Sequence, residues 1–275
     1  MFSASLLSLV VAASNPGWHT DYESAYRQAV TDKKDLVIYF REDSRLDEAL
    51  SIKRMRRRSR DYVFLTIPAS YRYDGMRLLD QPALQDMAGQ PGLAIVSLHD
   101  RSLPTHNQVI SAHPFTGSRY AWAPAYGPDE IHLILDLPRR ATLTQRSMIY
   151  AVSVHPERPR SVYAAAHPAF LGHAERHSIR QASMHNQHHA NLIATMGVLS
   201  SEMGEGVGGG SEVVAESWGN FVGGETVLEA AFSCVDAWRH SPGHWSAVSG
   251  NHRYFGYDIA RASNGTWYAT GIFAD

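Results

Sequence analysis

Apolar positions recur at helical spacing through Tyr22, Ala25, Tyr26, Ala29 and Val30, behind the capping box Thr20-Asp21-Tyr22-Glu23, and predict a helix running to about Thr31. Lys33-Lys34-Asp35 ends it, and the unbroken run Leu36-Val37-Ile38-Tyr39-Phe40 predicts a strand buried on both faces. Residues 61–67 and 93–98 predict two more strands, the second introduced by Gly89-Gln90-Pro91-Gly92. These elements make an αβ layer structure. Residues 113–128 are rich in Pro, Gly and aromatics without periodicity and read as the end of a first unit, with the boundary at about 125–140. Ile131, Leu133, Ile134 and Leu137 predict a short bridging helix, and Thr142 opens an apolar-periodic stretch to about Val154. Further helices follow from Phe170, Leu171, Ala174, His177, Ser178 and Ala182, and from Val227, Leu228, Ala231, Cys234, Val235 and Trp238, the latter ended by Pro242-Gly243. Residues 254–260 and 266–273 flank Ser263-Asn264-Gly265 and predict a closing hairpin on an Asn-Gly turn that wants positive φ.

A chain of 275 residues fits about two domains of roughly 100–200 residues each. With 44% hydrophobic and 19% charged residues it can bury real cores and is not a disordered chain. The formal net charge of −2 supplies no field for collecting polyanions, so no nucleic-acid partner is expected. One basic run, Lys53-Arg54-Met55-Arg56-Arg57-Arg58-Ser59-Arg60, reads either as a solvated helix face or as a contact for an anionic envelope lipid, polymer or acidic partner. Residues 1–14 are apolar and too short to span a bilayer. They read as a signal peptide or leader, or as an apolar first strand; a signal peptide makes the protein secreted, periplasmic or cell-envelope. No stretch approaches eighteen consecutive apolar residues, so no transmembrane segment is expected. The single cysteine, Cys234, sits at an apolar helix position and reads as a buried, inert thiol. Fifteen histidines, ten of them after residue 150, point to metal binding or titration near neutrality.

Over about residues 17–120 the order of elements resembles the thioredoxin fold, with "GWHTDYESAYRQAV", then "DLVIYF", then "GQPGLAIV" at the fold's proline-led strand. That resemblance would make Pro91 a cis proline. Where thioredoxins carry Trp-Cys-x-x-Cys, this chain has Arg41-Glu42-Asp43-Ser44-Arg45-Leu46, so the disulfide exchange that needs a thiolate is ruled out. The implied unit, residues 15–130, is a redox-inactive scaffold or docking module.

The stretches "AERHSIRQASMHNQHHANL", "VVAESW", "VDAWRHSPGHWSAV" and "YFGYDIARASNGTWYATGIFA" resemble the CAP superfamily, the SCP domain of cysteine-rich secretory, antigen five and pathogenesis-related proteins. The resemblance covers roughly residues 140–275, and the unit is taken as 131–275. It implies an α-β-α sandwich ending in an antiparallel hairpin, so that the whole chain is of α+β and α/β class. The family groove gathers two histidines and one or two acids and binds zinc in some members. Carried over by motif, His244 follows Pro-Gly, Glu216 is the groove glutamate and His189 the other histidine, with His185 and His188 left open. Ser241 stands where many eukaryotic members have a second glutamate, which removes one acid.

His189 and His244 with a water form an open zinc site, Glu216 serving as a further ligand or general base. Equally, the three side chains form a hydrogen-bonded polar groove without metal. No serine or cysteine nucleophile is marked out. His173 and His177 lie at i and i+4, but Glu175 is not at the position the metalloprotease helix requires, so the pair reads as a surface or interdomain feature. Gly204, Gly206 and Gly209 match G-x-G-x-x-G without the strand and helix flanks it needs, and residues 202–210 read as a loop. The expected function is an exported binding module for a lipid, peptide or envelope component. The alternative is a zinc-dependent hydrolase of peptide or cell-envelope substrates, and a third reading is purely architectural.

Overall fold

The structure is a computed structural model and describes residues 18–41, 50, 58–217 and 225–275. The expected leader, residues 42–46, the 53–57 part of the basic run and Trp218 lie outside the described residues.

Helix α1 (Tyr22–Asp32) is capped by Asp21, whose carboxylate accepts from the Ser24 N–H. The cap therefore falls one residue later than the Thr20 box predicts, because a carboxylate also complements the positive end of the helix. The chain then forms β1 (Asp35–Arg41), β2 (Tyr62–Pro68), the small hairpin β3 (Arg72–Tyr73) and β4 (Met76–Arg77), then β5 (Gly92–Val96) and β6 (Val109–Pro114). The first sheet has the order β2-β1-β5-β6, with β1 and β2 parallel and the β1–β5 and β5–β6 pairs antiparallel. Leu36, Ile38 and Phe40 pack toward Ala25 and Ala29 of α1, while Val37 and Tyr39 turn to the opposite face. Strand β1 is thus buried on both faces, as its unbroken apolar run predicts. Among the described residues no peptide bond is cis, so Pro91 departs from the expectation set by resemblance.

That opposite face shares one core with α2 (Pro128–Asp136), α3 (Leu143–Ser153) and a second sheet. Helix α3 carries the capping box Thr142–Gln145, and every residue from Gln145 to Val152 is buried, as suits a helix covered all round. The second sheet has the order β7-β9-β10-β8, from β7 (Ala165–Ala166), β8 (Gly210–Glu216), β9 (Tyr254–Arg261) and β10 (Trp267–Ala274). Phe255, Tyr257 and Ile259 face α3 and α6 (Val227–Arg239). The other face meets α4 (Pro168–Met184), where Phe170 and Ala174 pack on Ile272 and Ala274. Two further helices, α5 (Leu192–Met203) and α7 (Pro242–Ser249), complete the α-helices of the described residues. The mixed α/β class expected from the sequence is what the structure has. Pro242 begins α7 rather than ending α6, since proline at the first helical position loses no hydrogen bond. In the β9–β10 turn only Gly265 takes a positive φ, and Asn264 instead accepts from the Thr266 N–H.

Asp258 on β9 ties three elements together, accepting from Thr144 Oγ1 at the start of α3 (2.6 Å) and bonding Ser178 of α4. The Ser178 hydroxyl also stands 3.0 Å from the Glu175 carbonyl, so its one hydrogen is shared between that oxygen and the Asp258 carboxyl. Burial pushes the Asp258 carboxyl up to about 7. A proton held in the folded state and released by the unfolded chain stabilises less as pH rises. This group is therefore expected to lower stability between about pH 4 and pH 7. Urea midpoints at pH 5 and pH 8 should show that fall in the wild type and a flattened one in Asp258→Asn.

Candidate functional site

Three segments converge at one edge of the second sheet. Helix α4 ends at His185, which takes the left-handed conformation (φ 50°), and residues 186–191 then turn into α5, capped by Asn191. The turn carries His188 and His189. Strand β8 runs beside β10 and presents Glu212, Val214 and Glu216 on the face that meets α4. Helix α7 starts at Ser241 and Pro242, so His244 falls in its first turn. The corner between α6 and α7 is fixed by Glu157, which pairs with Arg239 and accepts from Trp245 Nε1 at 2.8 Å.

His189 Nε2 and His244 Nε2 face each other at 3.5 Å. Beneath them lies Glu212, whose side chain is only 3% exposed. Its Oε2 accepts from the Ala190 N–H at 2.8 Å and from His189 Nδ1 at 3.1 Å. With Glu212 Oε2 as the acceptor of this bond, His189 donates from Nδ1 and its Nε2 is left as the acceptor nitrogen facing His244. Burial, and then the His189 imidazole beside it, hold His244 below the usual histidine value.

His177 Nε2 donates to the His188 carbonyl at 2.9 Å and stands 3.7 Å from Glu212 Oε1. The His173 ring stacks on that of His177 with centroids 6.1 Å apart. Burial lowers both imidazoles from their usual value. His173 Nε2 and Glu212 Oε1 are buried without a hydrogen-bond partner. The pair set aside in the sequence thus flanks the site, sharing Glu212 with His189.

The structure brings together His189 and His244 but not Glu216. That residue lies four positions further along β8, about 13 Å at strand rise, opposite Tyr268. Burial first, and then Glu216 beside it, raise the Tyr268 hydroxyl above its ordinary value. The acid at the histidines is Glu212, opposite Ile272, which sequence reasoning missed. Alternation on β8 puts both glutamates on one face, and their places along the strand separate them. His185 instead reaches Ser263 Oγ at 2.9 Å, and His188 contributes its carbonyl to His177. Ser241 serves as the residue before α7, its carbonyl accepting from the Trp245 N–H at 2.8 Å. Cys234 is fully buried, and burial holds its thiol well above the usual range.

Tetrahedral zinc with Zn–N bonds of about 2.0–2.1 Å sets two ligand nitrogens about 3.3–3.4 Å apart. The observed 3.5 Å matches that span. A carboxylate on the far nitrogen of a ligating histidine is the usual outer support of such a site, and Glu212 has that position. Among the described residues no group of three His, Cys, Asp or Glu side chains is arranged to hold a metal ion. The arrangement is a two-histidine one with its remaining positions open.

Compared with known protein families and with curated proteins, the chain matches none.

Proposed function

We propose that this protein is an exported binding module, a thiol-free thioredoxin-type unit joined to a CAP-type unit, whose ligand engages the His189–His244 pair. The observation that carries the reading is the 3.5 Å approach of the two Nε2 atoms with His189 oriented by buried Glu212. The CAP-type assignment is supported by the second sheet, covered by helices on both faces, and by two histidines and an acid gathered at its edge. The thioredoxin-type assignment is supported by β1 behind α1 and β5 behind Gly-Gln-Pro-Gly in one sheet, and its lack of thiols removes disulfide exchange.

A divalent metal such as zinc fits the pair as a bridge to ligand oxygen or nitrogen, acting as a Lewis acid when bound. The open coordination positions also suit the second reading, a zinc-dependent hydrolase of peptide or envelope substrates. Catalytic zinc sites keep three protein ligands, and the described residues supply two here. Binding is therefore the preferred role.

Zinc titration by calorimetry on tag-free protein tests the site. One zinc per chain is expected, with affinity about 10- to 100-fold weaker in Glu212→Gln, whose support of His189 is lost. His244→Ala should lose at least as much, and Glu216→Gln nothing. Wild-type affinity retained in His244→Ala would overturn the metal assignment.

A further inference from the structure

We infer that the cavity between α4 and α5 takes the acidic headgroup of a lipid at an anionic membrane surface. This rests on the binding-module reading and narrows its ligand to one class, without using the metal. The cavity measures about 490 Å³, and its α4 wall carries Arg176 and Arg180, one turn apart, alongside His188 and His189 of the following turn. Ala194 and Val198 of α5 form the facing wall. Two carboxylates stand near the cavity, one of them paired with a cavity arginine through an exposed contact that an anionic headgroup would replace. Glu202 meets Arg176 at 3.4 Å, and Glu212 lies under the histidines, accepting from His189 and Ala190.

The second observation is α5 itself. Residues 190–201 contain no charged side chain. Thr195 and Leu199 face the body of the protein, whereas Ile193 is 88% exposed and Val198 49%. An apolar helix face in water beside paired cations suits the membrane interface. There the apolar side chains enter the acyl boundary and arginines meet acidic headgroups. The complementarity is specific to a ligand that is anionic at its head and apolar beyond it.

The test is co-sedimentation of the full chain with phosphatidylcholine–phosphatidylglycerol vesicles and with phosphatidylcholine vesicles alone. Binding is expected to the mixed vesicles only, weakening at high salt. The double variant Arg176→Ala/Arg180→Ala should bind about 20- to 30-fold more weakly, on the scale of two surface arginines. Ile193→Ser/Val198→Ser should lose about tenfold with the arginines intact. All four side chains are exposed or line an open cavity, and a thermal melt of each variant should match the wild type. Mixed vesicles bound no better than phosphatidylcholine would overturn the inference, as would binding that survives the arginine substitutions. Saturable binding of inorganic phosphate without vesicle binding would also overturn it, in favour of a soluble anion. Zinc titration of the same variants separates the two claims, since retained zinc binding with lost vesicle binding marks the vesicle loss as due to the cavity and leaves the His189–His244 reading standing.

Discussion

An Arg146→Leu protein is expected to be about 3–5 kcal/mol less stable than the wild type, if it folds at all, because the change leaves a buried polar network half made. Arg146 is fully buried, on a stretch of α3 whose apolar neighbours Met148, Ile149 and Tyr150 belong to the shared core. Its guanidinium donates to Ser111 Oγ on β6 (2.7 Å) and to the carbonyls of Ile134 (2.8 Å), Leu137 (2.8 Å) and Pro138 (3.1 Å). Those carbonyls end α2, where the last turn has no partners of its own and the helix dipole is negative. One planar fork therefore closes α2 and fastens it to the first sheet. Burial lowers the guanidinium from its usual value, yet arginine stays charged in proteins. Arg146→Lys should recover only part of the loss, since an ammonium cannot reach four acceptors in the same fork. Denaturant midpoints check both variants, and a loss below about 1 kcal/mol for Arg146→Leu would contradict the assigned role.

The second large effect is expected at Gly256 on β9. A Cβ there would sit 2.2 Å from the Phe170 carbonyl carbon, 2.3 Å from its oxygen and 2.6 Å from the Leu171 nitrogen. All three are backbone atoms at the start of α4, so no side-chain rotation relieves the clash and the helix itself must move. Gly256→Ala should destabilise by about 3 kcal/mol, the upper end for overpacking. Because α4 leads into the His188–His189 turn, the same variant should also disturb the histidine pair. A stability within about 0.5 kcal/mol of wild type would show that α4 does not approach the sheet as closely as described.

The elements legible in the sequence were those with a strong period or an unbroken apolar run: α1, the short α2, α3, α4 and α6, the strands β1, β2 and β5, and the closing hairpin. Strand β6 was hidden because it ends in His113-Pro114 and reads as turn chemistry. Tertiary burial overrides that reading and pushes the His113 imidazole down to about 3. Helix α5 lacked a polar outer face, since Ile193 and Val198 point to solvent, so its periodicity did not stand out. Strand β8 starts at Gly210, the last residue of the glycine-rich stretch read as a loop, and its remaining residues carried no strand prediction of their own.

His244 was readable through the motif around Pro242-Gly243-His244, and His189 only as one of three histidines in the stretch that follows α4. The acid was not, because Glu212 and Glu216 share a face of β8 and nothing local distinguishes them. What decides is which one lies opposite the α4–α5 turn, a property of register across the sheet. The choice among His185, His188 and His189 was likewise made by the left-handed turn at His185, which swings His189 toward α7.

The most direct test of the central claim is an anomalous difference map, at the zinc edge, from crystals grown with zinc. The account predicts one strong peak within about 2.1 Å of the Nε2 atoms of both His189 and His244, with Glu212 on the far nitrogen of His189. A peak beside Glu216 and Tyr268, or zinc-saturated crystals with no peak between the two histidines, would contradict it.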